Sequence, residues 1–200
     1  MKQHIRIHKA EPNKGILDYS HLLDAPAGKH GFVEARKGHL YFEDGTRAKF
    51  LGFNVAARSN TPDHLTAEKM AERFASMGVN LIRLHAADAP VGEESGSWSS
   101  SSETPLLDYA SGTSRKFHSE GLDRFDYFAA KLKEKGIYLH IDLIVARAFM
   151  EGDEMEYPGG APSCLKRHTM YNERMIRLQK EYAKEWLCHV NPYTGLALID

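Results

Sequence analysis

Three short stretches place polar side chains two residues apart in otherwise apolar runs, the spacing that puts them on one face of a β-strand. In Tyr138-Leu139-His140-Ile141-Asp142 the tyrosine, histidine and aspartate alternate with leucine and isoleucine. In Ile82-Arg83-Leu84-His85 the arginine and histidine share the face opposite the aliphatics, and in Leu51-Gly52-Phe53-Asn54-Val55 the glycine and asparagine do the same. Each run therefore has one greasy face and one polar or small face. A guanidinium, imidazoles, a carboxylate and an amide gathered this way can hydrogen-bond a polar ligand and hold its charges in place. The pairs His140/Asp142 and His85/Asp88 could alternatively supply nitrogen and oxygen to a metal ion. The eleven histidines are scattered along the chain, however, which argues against one metal site, and no metal or cofactor is expected.

The elements that must position these residues can be read from hydrophobic periodicity. Residues 1–30 lack a clear period and contain Pro12, Gly15, Pro26 and Gly28, so they read as an extended arm. Phe32–Ala35, His39–Phe42 and Ala48–Val55 read as strands, with Lys37-Gly38 and Asp44-Gly45 between them. An Asp-Gly pair between β-type runs is a hairpin signal, because a type I′ turn needs positive φ at both central positions. The period then changes: Met70, Ala71, Phe74 and Met77 share a helical face, with Thr66 as the expected N-cap and Gly78 as the stop. Val79–Leu84 is a second strand, Leu122, Phe125, Ala129 and Leu132 mark a second helix, and Ile137–Leu143 is a third strand. A third helix over about 172–188 carries Met175, Leu178, Tyr182 and Trp186.

Strand-helix alternation of this kind implies a parallel sheet built from right-handed βαβ units. The connections are lopsided. Helix passes into strand through one glycine, Gly78 or Gly136, whereas the strand-to-helix loops at 86–118 and 144–171 are long. Ligands of parallel α/β folds bind at the carboxyl ends of strands, on such loops. The face of Asn54, Arg83, His85 and Asp142 is thus expected to open on that rim.

Bulk composition narrows the partners. A net charge of −1 with 26% charged residues shows no basic footprint for nucleic acid or an anionic membrane, and a small or neutral ligand fits better. No apolar run approaches a membrane span. Cys164 and Cys188 lack metal-ligand spacing and read as free thiols. Met1 to Gly15 is polar and basic without an apolar core, so no signal peptide is visible, and a cytoplasmic location follows if Met1 is the true start.

The segment Gly38-His39-Leu40-Tyr41-Phe42-Glu43-Asp44-Gly45, followed by Phe50-Leu51-Gly52-Phe53-Asn54-Val55, resembles the opening of cellulase-like glycoside hydrolases of clan A, family 5 and its relatives. Gly78-Val79-Asn80-Leu81-Ile82-Arg83-Leu84-His85 with Asp88 is similar to their second strand, and Leu122–Phe128 with Lys135-Gly136-Ile137-Tyr138 to their next helix-to-strand step. The resemblance spans roughly residues 31–195. It implies an α/β fold, the N-terminal part (about three βα units) of a (β/α)8 TIM barrel preceded by a β-hairpin. The domain reading is an arm at 1–30 and a barrel portion at 31–200 that stops before the fourth strand. The implied activity is hydrolysis of O-glycosidic bonds of oligo- or polysaccharides by a retaining mechanism with two carboxylates about 5 Å apart. Both catalytic glutamates are expected beyond Asp200, at the ends of the fourth and seventh strands, which would leave this chain inactive alone.

By the same resemblance Arg83 is a supporting residue that hydrogen-bonds the nucleophile, and its bland alternative is an internal salt bridge. Asn54, His85, Asp88, Asp142 and Arg147 are expected to bind substrate. Phe149 is placed to line a subsite, while Trp98 and Tyr109 could stack on sugar rings, although loop anchoring is the preferred reading for these aromatics. One departure is clear: the family's Asp-x-His at the end of the third strand is here Asp142-Leu143-Ile144, which points to a divergent subfamily. Two other readings stay open, a non-catalytic carbohydrate-binding barrel and a metal-dependent barrel hydrolase. The first strand lacks the His-x-His that metal barrels usually carry there.

Overall fold

A computed structural model describes residues 11–90, 104–155 and 163–200. Strands β1 (Val33–Arg36) and β2 (His39–Phe42) form an antiparallel hairpin in which Arg36 pairs with His39. Both residues between them have positive φ, 49° at Lys37 and 76° at Gly38, so this is the tight two-residue turn. Asp44-Gly45 is a different turn from the one expected. Only Gly45 has positive φ, because the Asp44 carboxylate accepts the Thr46 amide at 2.8 Å and closes its own loop.

A second sheet is parallel, in the order β3 (Gly52–Ala56), β4 (Leu81–His85) and β5 (Tyr138–Ile141). Helices α1 (His64–Ser76), α2 (Ser119–Glu134) and α3 (Glu173–Leu187) follow β3, β4 and β5 in turn. This is the expected strand-helix alternation. The run 48–55, read as one strand, is divided. Ala48 donates to the Leu40 carbonyl of the hairpin at 3.0 Å, and the barrel-type pairing begins only at Gly52. The start of α1 also differs: Asp63, not Thr66, caps it by accepting the Thr66 amide at 2.9 Å. Asp is as good a cap as Thr, and its place immediately after Pro62 decided between them.

The core lies between the sheet's aliphatic face and the helices. Ile82 and Leu84 are buried against Ala67, Ala71 and Ala75 of α1 and against Phe125, Phe128 and Leu132 of α2. The alanines recur every four residues, so α1 presents a smooth stripe that can lie close to the strands. Helix α3 closes the layer with Tyr182 and Trp186. The indole lies edge-on to Phe125, with ring centroids 5.2 Å apart. No helix among the described residues is long and apolar enough to cross a membrane.

The two ends of the sheet have different jobs. At the amino end, Phe42 of the hairpin stacks on Tyr138, the first residue of β5, at 5.4 Å, and Phe50 meets Tyr138 edge-on at 5.6 Å. The arm crosses the same end. The Tyr19 amide donates to the Ser76 carbonyl at the end of α1, and the Ala27 amide to the Lys133 carbonyl at the end of α2. Gly78 and Gly136, both at positive φ, turn each helix into its strand. They also leave room for the arm, since a Cβ on Gly136 would lie 3.0 Å from the Ala25 nitrogen.

One residue ties arm to hairpin. His30 approaches Asp44 through Nδ1 at 2.5 Å and Asp24 through Nε2. Only imidazolium can donate from both nitrogens, and the hydrogen bond to Asp24, then that to Asp44, raises the His30 pKa. A raised folded-state pKa stabilises below the unfolded value of about 6.5 and is lost as pH rises through the folded value. Asp24, Lys29 and Asp44 are the charged groups around it. Amide exchange over residues 24–31 should therefore accelerate as pH rises above about 6.5. In His30→Gln it should be fast, with no step beyond the intrinsic chemistry. A wild-type profile identical to that of His30→Gln would remove the latch.

Candidate functional site

At the carboxyl end the pairing register sets polar side chains in rows. Asn54 pairs with Arg83, and Arg83 with His140; one step further, Ala56 pairs with His85. Alternation of side chains then puts Asn54, Arg83, His85, His140 and Asp142 on one face of the sheet, opposite the buried Ile82 and Leu84. The centre is Asp142. Its Oδ2 receives Nη2 of Arg83 at 2.6 Å and Nδ1 of His85 at 2.6 Å, while Oδ1 receives Nε of Arg83 at 3.2 Å. Nε2 of His140 lies 3.5 Å from Oδ1.

Asp142 is largely buried. Burial pushes its pKa up, but the hydrogen bonds from His85 and Arg83 outweigh that, and the carboxyl sits below its ordinary range. It is held as a carboxylate. Arg83 engages it with Nε and Nη2, and Nη1 makes no hydrogen bond to the described residues. The Arg83 side chain is 43% exposed, so the guanidinium has donors left for a second anion or a hydroxyl in the mouth.

The structure thus brings together Asn54, Arg83, His85 and Asp142. Asp88 and Arg147, expected to face a sugar, are placed elsewhere. Both are wholly buried. Asp88 accepts the amides of Val145 at 2.8 Å and Ala146 at 3.0 Å. Burial raises its pKa against those two hydrogen bonds. Arg147 donates to Ser114 Oγ and the Ser114 carbonyl, each at 3.0 Å, and to the Leu178 carbonyl at 3.0 Å. Its guanidinium lies 4.8 Å from the centre of the Tyr182 ring. Burial lowers its pKa, opposed by nearby tyrosine and aspartate charge. Asp153 completes the arrangement by accepting the Thr113 hydroxyl at 2.6 Å and the Ser114 amide at 3.0 Å. Both residues were misplaced for one reason: loop backbone turns inward to reach them, and strand parity does not extend past a strand end.

The loop aromatics anchor, as preferred. Phe149 is buried against Met175 and Leu178, and the Tyr109 hydroxyl donates to the Asp88 carbonyl at 2.7 Å. Trp98 lies outside the described residues, as does the Cys164 side chain; Cys188 is a free, exposed thiol. Two further residues belong to the rim. His140 was visible on the polar face but not as a third partner of Asp142. Asn60 is fully buried in the turn after β3, and its Nδ2 donates to the His85 carbonyl at 2.8 Å. Among the described residues no group of three or more His, Cys, Asp or Glu side chains is arranged to hold a metal.

No protein-family model matches the sequence, and no curated protein matches it significantly. Solved structures do match. The endo-1,4-beta-mannanase from Rhizomucor miehei superposes with a TM-score of 0.58 at 20% identity, over 84% of this chain and 44% of that enzyme. The glycoside hydrolase family 5 mannosidase from the same organism gives 0.54 at 14% identity, over 84% of this chain and 45% of its own. This chain spans less than half the length of either. At such identities the likeness speaks for the fold. The chain is built as part of a (β/α)8 barrel, three βα units preceded by a β-hairpin, in the form found in family 5 glycoside hydrolases.

Proposed function

We propose that this chain forms the first part of a glycoside hydrolase barrel that cleaves O-glycosidic bonds by the retaining, two-carboxylate route. The observation that carries the reading is the cluster of Arg83, His85 and Asp142, presented with Asn54 at the carboxyl mouth of a sheet with this fold. In this reading both catalytic carboxylates come from later barrel strands. Asp142 is not the general acid, because the hydrogen bonds it accepts from His85 and Arg83 keep it ionised. Its work is to fix the Arg83 fork so that the remaining N–H groups point at the nucleophile and favour its charged form. Asn54 and His85 are the groups placed to bind sugar hydroxyls.

The neighbours' names, a mannanase and a mannosidase, make the β-1,4-mannoside bond the first substrate to try. The complete reading frame that contains this sequence should release products from β-1,4-mannan or another β-glycoside, and ¹H NMR should show the β-anomer formed first. The 200-residue chain alone should show no turnover. Inverted product, or oligosaccharide binding without any hydrolysis by the complete protein, would overturn the proposal; the second result would establish a carbohydrate-binding barrel instead.

A further inference from the structure

Strand β4 leaves the sheet abruptly. After His85 the chain enters Ala86, a buried non-glycine residue at φ 55°, a left-handed conformation that persists only where the surroundings enforce it. The backbone ladder between β4 and β5 ends there; its last link is the Asp142 amide to the Leu84 carbonyl at 3.3 Å. Beyond it the two chains are joined by a side chain. Asp88, three residues past His85, accepts with both oxygens the amides of Val145 and Ala146, three and four residues past Asp142.

Tyr109 reinforces this join, donating to the Asp88 carbonyl at 2.7 Å and accepting the Ala148 amide at 3.3 Å. The second loop answers in kind, as the buried Arg147 and Asp153 both bind Ser114 of the first loop. The two rim loops are therefore stitched to each other by buried charges gripping backbone.

We propose that Asp88 is a positioning residue: by gripping the amides of Val145 and Ala146 it sets Asp142 against Arg83 and His85 at the barrel mouth. The role in catalysis rests on the functional reading above, but the positioning does not. A carboxylate suits the task because each of its two oxygens accepts one of two neighbouring amides. It also explains why Asp88 tolerates full burial.

The test follows the Asp142 carboxyl by ¹³C NMR titration in the complete protein. Asp88→Asn keeps the shape but leaves one amide facing an NH2 group. Loss of a negative charge at position 88 by itself would lower the Asp142 pKa, whereas loss of geometry weakens the Arg83 and His85 bonds and raises it. We expect a rise of about one unit, and a smaller rise in Tyr109→Phe, which removes the supporting hydroxyl. Leu132→Ala, which destabilises the core far from the mouth, should leave the Asp142 titration unmoved. An unchanged or lowered Asp142 pKa in folded Asp88→Asn would overturn the proposal. Should that variant not fold, the same outcome in Tyr109→Phe decides it. Failure of the wild-type complete protein to hydrolyse any glycoside would overturn the function while leaving the titration result standing, so the two ideas fail separately.

Discussion

If the complete protein is the proposed glycosidase, Arg83→Ala is expected to lower its kcat by on the order of 10²-fold or more while moving the denaturation midpoint little. The two halves of this expectation come from different features. Arg83 is nearly half exposed and its partner Asp142 keeps His85, so losing the ion pair costs at most about 1 kcal/mol of folding stability. The rate effect comes from the free edge of the guanidinium, which in the proposed mechanism orients a nucleophilic carboxylate and keeps it ionised. Arg83→Lys should recover only part of the loss, because an ammonium supplies the charge without the planar fork that serves two acceptors at once. Steady-state kinetics together with urea denaturation checks both halves. Unchanged turnover in Arg83→Ala would reduce the residue to a structural partner of Asp142.

Trp186→Ala should cost about 3–5 kcal/mol of folding stability, measured as a shift in the denaturant midpoint at constant m-value. The indole is fully buried and is the largest side chain in the main core. It contacts Phe117 at 6.4 Å, Phe125 at 5.2 Å and Tyr182 at 5.4 Å between ring centroids, and so joins α3 to α2 and to the segment before it. Large rings packed against the indole cannot collapse into the space an alanine leaves, which puts this site at the costly end of cavity formation. Trp186→Phe should lose much less, since it keeps most of the volume and removes Nε1, which meets no acceptor among the described residues. Equal losses for Ala and Phe would show that the packing is looser than these contacts imply.

Much of the architecture was legible because it depends on local periodicity. The two-residue alternation in 81–85 and 138–142 identified the polar face, and the spacing of Phe125, Ala129 and Leu132 identified the buried face of α2. The boundary errors have local causes of comparable strength. Asp63 and Thr66 are both good caps, and the type of the Asp44-Gly45 turn was set by the Asp44 carboxylate accepting the Thr46 amide, so side-chain hydrogen bonds of a few tenths to about 1 kcal/mol decided these details. His140 was placed correctly on its strand. Its approach to Asp142 depends on the parallel register between β4 and β5, which pairs residues more than fifty positions apart.

By itself, the sequence determined the order of strands and helices, the faces they present, the single-glycine turns at one end and the long loops at the other. Each of these follows from side chains within a few residues of one another. Tertiary structure alone decided which polar groups face the mouth and which hold it together. Asp88 and Asp142 are both aspartates just past strand-borne histidines, and nothing local tells them apart. Asp142 stays at the mouth because Arg83 and His85 arrive from the neighbouring strand to hydrogen-bond it. Asp88 is drawn inside because Ala86 turns the chain inward and two amides of a distant loop lie there unpaired without it. A buried charge or amide is stable only beside its partner, and those partners lie fifty-seven or more residues away along the chain.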